Sequence, residues 1–225
     1  MKVIIFDAST LISISMNGLI PEFRELKKNF DGKFLITEDV KREAIDRPLT
    51  IKRFELEALR LNQLFKDKIL ELPSAMGVEK SEITKITNEM MDMANSMFVS
   101  RNKKINIIHK GEASCLALCK ILSKKNIPRA LAIDERTTRM LAEKPENLKN
   151  LLERKMRSRI KLVKQNFKFF QGFKIIRSTE LMYIAYKKGL VRLKDPQVLD
   201  ALLWALKFKG CSISSDEIRE IKRLR

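Results

Sequence analysis

The spacing of apolar positions along this chain changes several times, and the changes mark out alternating strands and helices. Val3-Ile4-Ile5-Phe6 is an unbroken apolar run ended by Asp7. That is the pattern of a short buried strand delivering a carboxylate to a sheet edge. Helical spacing follows at Leu11, Ile12, Leu19 and Ile20, then at Phe23, Leu26 and Phe30. Asp31-Gly32 reads as a turn into a second strand, Lys33-Phe34-Leu35-Ile36. Thr37 is a good N-cap, with Glu38 and Asp39 in the first turn of a helix running to Pro48. Residues 51–66 form a further amphipathic helix, and Ile69-Leu70-Glu71-Leu72 reads as a third strand ended by Pro73.

The second half repeats the alternation. Ile83, Ile86, Met90, Met93 and Met97 predict a helix over 80–98, its methionines serving as adaptable core or interface. A helix over 111–124, a fourth strand over 130–134 and a helix over 135–143 follow. A short fifth strand over 173–177 precedes helices over 180–188, 196–209 and 215–224. Strand-helix alternation of this kind predicts an α/β fold, a parallel sheet of about five strands covered on both faces.

Acids recur where that pattern places a sheet edge. Gly111-Glu112 opens an apolar helix, and Ala130-Leu131-Ala132-Ile133-Asp134 is a second apolar strand ended by a carboxylate. Acids at strand carboxyl ends and helix starts converge on the crevice where open parallel sheets bind ligands. Glu43 lies three residues after Val40, on the inward side of its helix. It reads either as a salt bridge at the helix edge or as a metal ligand.

Charge sharpens the picture. Lys and Arg number 46 against 28 Asp and Glu, a formal net charge of +18. An acidic point on so basic a chain suits divalent cations and a polyanionic partner, although a lysine-rich thermophilic proteome gives a similar excess. Residues 144–174 are the most basic stretch. Lys144, Lys149, Arg154, Lys155, Arg157, Arg159, Lys161, Lys164, Lys168 and Lys174 face only Glu146 and Glu153 there. Phe167, Phe169 and Phe170 are interleaved at its end, so Arg154, Arg157, Arg159 and Phe169 are candidate contacts to single-stranded RNA. The alternative is a solvated basic helical hairpin that packs its phenylalanines inward.

Other chemistries recede. Seven glycines form no phosphate loop, and the lone His109 implies no catalytic triad. Three cysteines make no disulfide framework. Cys115 and Cys119, four apart with His109 nearby, read as small buried apolar residues or as a metal site. An apolar fraction of 44% and a length of 225 residues suit one domain with an adequate core. No apolar run approaches the roughly 18 residues of a membrane span, and Asp7 interrupts any secretory layout. The expected setting is cytoplasmic, with no membrane partner.

Taken together, Ile5-Phe6-Asp7-Ala8-Ser9, Val40-Lys41-Arg42-Glu43, Gly111-Glu112-Ala113 and Ile133-Asp134-Glu135-Arg136 with Arg139 resemble the PIN domain, a nuclease fold. The tail, Ile176-Arg177-Ser178-Thr179-Glu180-Leu181, Lys188-Gly189-Leu190 and Ser212-Ile213-Ser214, is similar to the end of a prokaryotic PIN subgroup. The likeness covers nearly all of 1–225 as a single PIN-like domain, with helical insertions near 74–104 and 145–172. Many relatives present Asp where this chain has Glu112. The resemblance implies a Mg²⁺- or Mn²⁺-dependent ribonuclease, a hydrolase acting as an endonuclease through metal-activated water. It implies Asp7, Glu112 and Asp134 as metal ligands, Glu43 as a ligand or water orienter, and Ser9 in support. Of Asp134 and Glu135, the first matches better. A non-cleaving PIN-fold module that binds RNA or protein, and a toxin-type ribonuclease held by an antitoxin, fit the same residues. A homodimer is compatible with all three.

Overall fold

The computed structural model of the chain describes residues 1–101 and 103–224, with all their side chains except those of Lys164 and Gln165. The apolar run after Met1 becomes strand β1 (Lys2–Phe6), in which Val3, Ile5 and Phe6 are fully buried. Helices α1 (Ala8–Met16) and α2 (Ile20–Lys28) lead to β2 (Gly32–Leu35). Thr37 caps α3 (Glu38–Lys41) by accepting from the Val40 amide at 3.2 Å. The helix then widens into a π turn over Arg42–Asp46, and α4 (Glu55–Lys66) follows.

Next come α5 (Lys80–Met97), β3 (Phe98–Ser100), β4 (Lys103–Lys104), α6 (Lys110–Lys124) and β5 (Arg129–Ala132). The chain continues through α7 (Arg136–Glu143), α8 (Pro145–Met156), β6 (Lys161–Leu162) and β7 (Ile175–Ile176). It closes with α9 (Ser178–Lys187), α10 (Val198–Phe208) and α11 (Ser215–Arg223).

The main sheet is parallel and four-stranded, in the order β2-β1-β5-β7. Ile5 pairs with Leu35 and Phe6 with Ala132, so Asp7, Ile36 and Ile133 leave the sheet at one edge. Strand order reverses on either side of β1, which makes the β1–β5 boundary the switch point of the sheet. The expected strand at Ile69–Leu72 is reduced to one bridge. Glu71 donates to Phe34 O at 2.9 Å and accepts from the Ile36 amide at 3.0 Å. Its neighbours are committed elsewhere. The amides of Ile69 and Leu70 both close the end of α4 on Leu64 O, and Pro73 opens a 3₁₀ turn.

One face of the sheet carries an aromatic cluster, with Phe6, Phe23 and Phe34 ring centroids 4.9–5.1 Å apart. Helix α6 is buried almost all round, from Ala113 through Leu122, as its continuous apolar run dictates. The segments expected as two separate insertions meet. β3 pairs antiparallel with both β4 and β6, placing Phe98 opposite Leu162 and Val99 opposite Lys161 in a small second sheet. No helix among the described residues is long and apolar enough to cross a membrane.

Candidate functional site

Four acidic side chains gather where β1, β5, α6 and the π turn end or begin. Asp7 is the N-cap of α1 and is buried; its Oδ2 accepts from the Ser9 amide at 3.1 Å and the Ser9 hydroxyl at 2.6 Å. The same hydroxyl accepts from the Asp134 amide at 3.2 Å, so Ser9 ties the end of β1 to the end of β5. Glu112 lies in the first turn of α6, half-buried, and accepts from the His109 amide at 2.5 Å in a capping box. Glu43 stands in the π turn with an exposed stem, its carboxylate turned inward. A Cβ added at Gly111 would lie 2.5 Å from Glu43 Oε2 and 3.9 Å from Asp7 Oδ1. Glycine at 111 is what lets these two carboxylates approach the same turn of α6. Single π turns within α-helices recur at functional sites, where the extra residue re-aims a side chain.

The two acids after β5 divide their work. Asp134 is fully buried, and both its oxygens are taken by Ser178, from the amide at 2.7 Å and the hydroxyl at 2.6 Å. Glu135 caps α7 by accepting from the Thr138 amide at 2.7 Å, and its charge acts on Asp7 and Glu112. The acids whose charges act on one another are therefore Asp7, Glu43, Glu112 and Glu135. Asp134 faces the start of α9 instead.

The electrostatics are those of uncompensated acids. Burial pushes the Asp7 carboxyl up, against the Ser9 hydrogen bonds that favour its charged form. Burial and then the charge of Asp7 raise Glu43, against the pull of His109 and Arg47. Glu112 is pushed up to about 8, first by burial and then by Asp7, with Glu135 and Glu43 adding to it. Among the described residues no three His, Cys, Asp or Glu side chains stand close enough to hold one metal ion as they are placed. Cys115, Cys119 and Cys211 are free and buried, and burial raises all three thiols.

Beside Glu43 opens a groove of about 710 Å³, which the sequence pattern did not single out. Its apolar lining comes from Ile12 and Leu61, with Met16, Ile51 and Phe54 at the exposed rim. Arg42, Arg47, Arg53 and Lys110 supply cations along it, and Glu43, His109 and Gly111 belong to both the groove and the acid cluster.

The basic stretch behaves differently from its aromatic residues. Arg154, Arg157 and Arg159 are exposed and form no ion pair among the described residues. Phe170 is fully buried, Phe167 and Phe169 pack on the core, and the Lys120 ammonium sits 3.0 Å from the Phe169 ring centroid. The stacking surface expected of Phe169 is thus largely occupied from within. The side chain of Lys164 lies outside the described residues.

Glu135, Ser178 and Gly111 were readable in outline. Glu135 adjoins an assigned acid, and a glycine inside a helical pattern signals a close approach. No protein family, curated protein or solved structure gives a significant match to the chain.

Proposed function

We propose that the chain is a metal-dependent endoribonuclease of the PIN type, hydrolysing RNA phosphodiester bonds. The observation that carries this reading is the meeting of Asp7, Glu43, Glu112 and Glu135 at the switch point of a parallel sheet, in a chain of net charge +18. Burial and the neighbouring carboxylates raise the pKa values of Asp7, Glu43 and Glu112, and a divalent cation would favour their charged forms. Their all-oxygen donor set fits a hard divalent ion such as Mg²⁺ or Mn²⁺. When bound, such an ion polarises a phosphoryl oxygen and lowers the pKa of a water enough to make it a nucleophile.

The chain's own residues do the rest. Asp7, Glu43 and Glu112 would hold the ion, with Glu135 alongside, their side chains drawing closer than they stand. Ser9 fixes the rotamer of Asp7 through two hydrogen bonds to Oδ2. Asp134 is a positioning residue that fastens α9 beneath the site. Arg47 and Arg42 stand on the groove side of Glu43, where a phosphate backbone would lie.

A second reading, a PIN-fold module that binds RNA or protein without cleaving it, is favoured by the hydrogen bonds already engaging Asp7 and Glu112. Incubation of the purified chain with structured and unstructured RNA, in Mn²⁺ or in EDTA, separates the two. Fragments that appear with Mn²⁺ and vanish with EDTA and in Asp7→Asn support the nuclease. RNA that is bound and left intact in Mn²⁺ supports the second reading.

A further inference from the structure

The groove beside Glu43 is more than a wall of the acid cluster. Its volume of about 710 Å³ falls within the roughly 300–1,000 Å³ of pockets that enclose small organic groups. Its floor is apolar, from Ile12 and Leu61. At the rim Phe54 is 44% exposed, with the Arg53 guanidinium 5.4 Å from its ring centroid. A ring and a guanidinium are both surfaces on which a nucleobase stacks. Arg47 and Arg53 have no carboxylate within ion-pair distance among the described residues, and Arg42 reaches Asp39 only at 3.6 Å.

We propose that this groove takes one unpaired nucleotide of single-stranded RNA next to the bond to be cut, its base on Phe54 and its phosphate between Arg47 and Arg53. The inference rests on the nuclease reading and adds what that reading leaves open, a requirement for an unstacked nucleotide. Three observations select RNA over a protein segment as occupant. The groove is continuous with the acid cluster through Glu43, His109 and Gly111. Arg47 and Arg53, unpaired among the described residues, complement phosphate, while Asp39 engages Arg42 at 3.6 Å and Lys110 at 3.4 Å. Phe54, 44% exposed at its rim, offers a flat aromatic face of the size of a base. A duplex cannot enter, because its bases are stacked and paired.

The test uses the full chain and a fluorescent single-stranded oligoribonucleotide, with a duplex of the same sequence as control. Anisotropy in EDTA reads binding without cleavage, and gel assays in Mn²⁺ read cleavage. The single strand should bind and the duplex should compete poorly. Phe54→Ala should weaken binding roughly tenfold with an unchanged salt slope, since a stack carries no counterion. Arg47→Ala should weaken binding and lower the slope of log K against log salt by roughly 0.7. Ala58→Trp, placed to fill the groove, should weaken binding as much as Phe54→Ala, with thermal melts confirming that each variant is folded.

Wild-type affinity in folded Phe54→Ala and Ala58→Trp would overturn the proposal while leaving the nuclease reading intact. Tight single-strand binding that these variants abolish, with no Mn²⁺-dependent cleavage, would keep the groove and sink the nuclease. A wild-type dimer that Phe54→Ala dissociates would show a second copy in the groove and overturn it.

Discussion

Ser178 holds the carboxylate of Asp134 at both oxygens, its amide at 2.7 Å and its hydroxyl at 2.6 Å. The pair joins the end of β5 to the first residue of α9, where an anion also favours the helix dipole. Asp134 thus acts on structure before chemistry. Asp134→Ala should cost on the order of 2–3 kcal/mol, the range for losing buried hydrogen bonds to a charged group. Urea unfolding measures it. Asp134→Asn, which keeps one acceptor, should retain metal-induced stabilisation; its complete loss would restore Asp134 as a ligand.

Asp7→Asn should abolish cleavage and leave the fold standing. Asparagine caps α1 nearly as well as aspartate and still accepts from Ser9. Without the buried charge, the melting temperature in EDTA should rise slightly. Cleavage assays run beside thermal melts decide it, and full activity would place the chemistry elsewhere.

Metal should stabilise the folded chain. An ion that binds only the native state contributes RT ln(1 + [L]/Kd), about 2.7 kcal/mol at a hundredfold excess. A melting temperature unchanged between EDTA and millimolar Mn²⁺ would count against a centre assembled from Asp7, Glu43 and Glu112.

The pH dependence has a definite sign. Glu112 is pushed up to about 8 in the fold against an ordinary value near 4.5. Between those values the native state binds more protons than the unfolded chain, so stability in EDTA should fall as pH rises from about 5 to 8. The contribution is greatest below the unfolded value and is lost through the folded one. Glu112→Gln should flatten this limb of the stability profile, and Mn²⁺ should flatten it in the wild type.

Gly111→Ala should separate site from scaffold. The new methyl meets the far end of the Glu43 side chain at 2.5 Å, which can swing away. Alanine also favours the helix by roughly 1 kcal/mol over glycine. Stability in EDTA should hold or rise, while Mn²⁺-dependent cleavage falls at least tenfold because Glu43 has been displaced.

Strands with four or more continuous apolar residues were legible in the sequence, and so were the acids that end them. Val3–Phe6 and Ala130–Ala132 sit in the sheet as their pattern requires. The strand read into Ile69–Leu72 failed because hydrogen bonding at the end of α4 claims two of its amides, a competition invisible in side-chain pattern. Strands of two or three residues, such as Lys103–Lys104 and Lys161–Leu162, have too few positions to show any period. At the site, three of the four assigned acids converge. Asp134 is held by Ser178 while the charge of Glu135 bears on Asp7 and Glu112, a division between adjacent carboxylates that composition cannot show. The groove was hidden for a related reason. Ile12, Phe54 and Arg47 belong to different elements, and only the fold makes them neighbours.

The pairing of β3 with β6 also has a topological meaning. It ties off a loop of 65 residues, from Phe98 to Leu162, that contains α6, β5, α7 and α8. Glu112 and Glu135 lie inside that loop, whereas Asp7 and Glu43 lie outside it. Hydrogen exchange at the β3 amides would report how often the clasp opens. The acids of the site are thus assembled across the closure, two from within the loop and two from outside it.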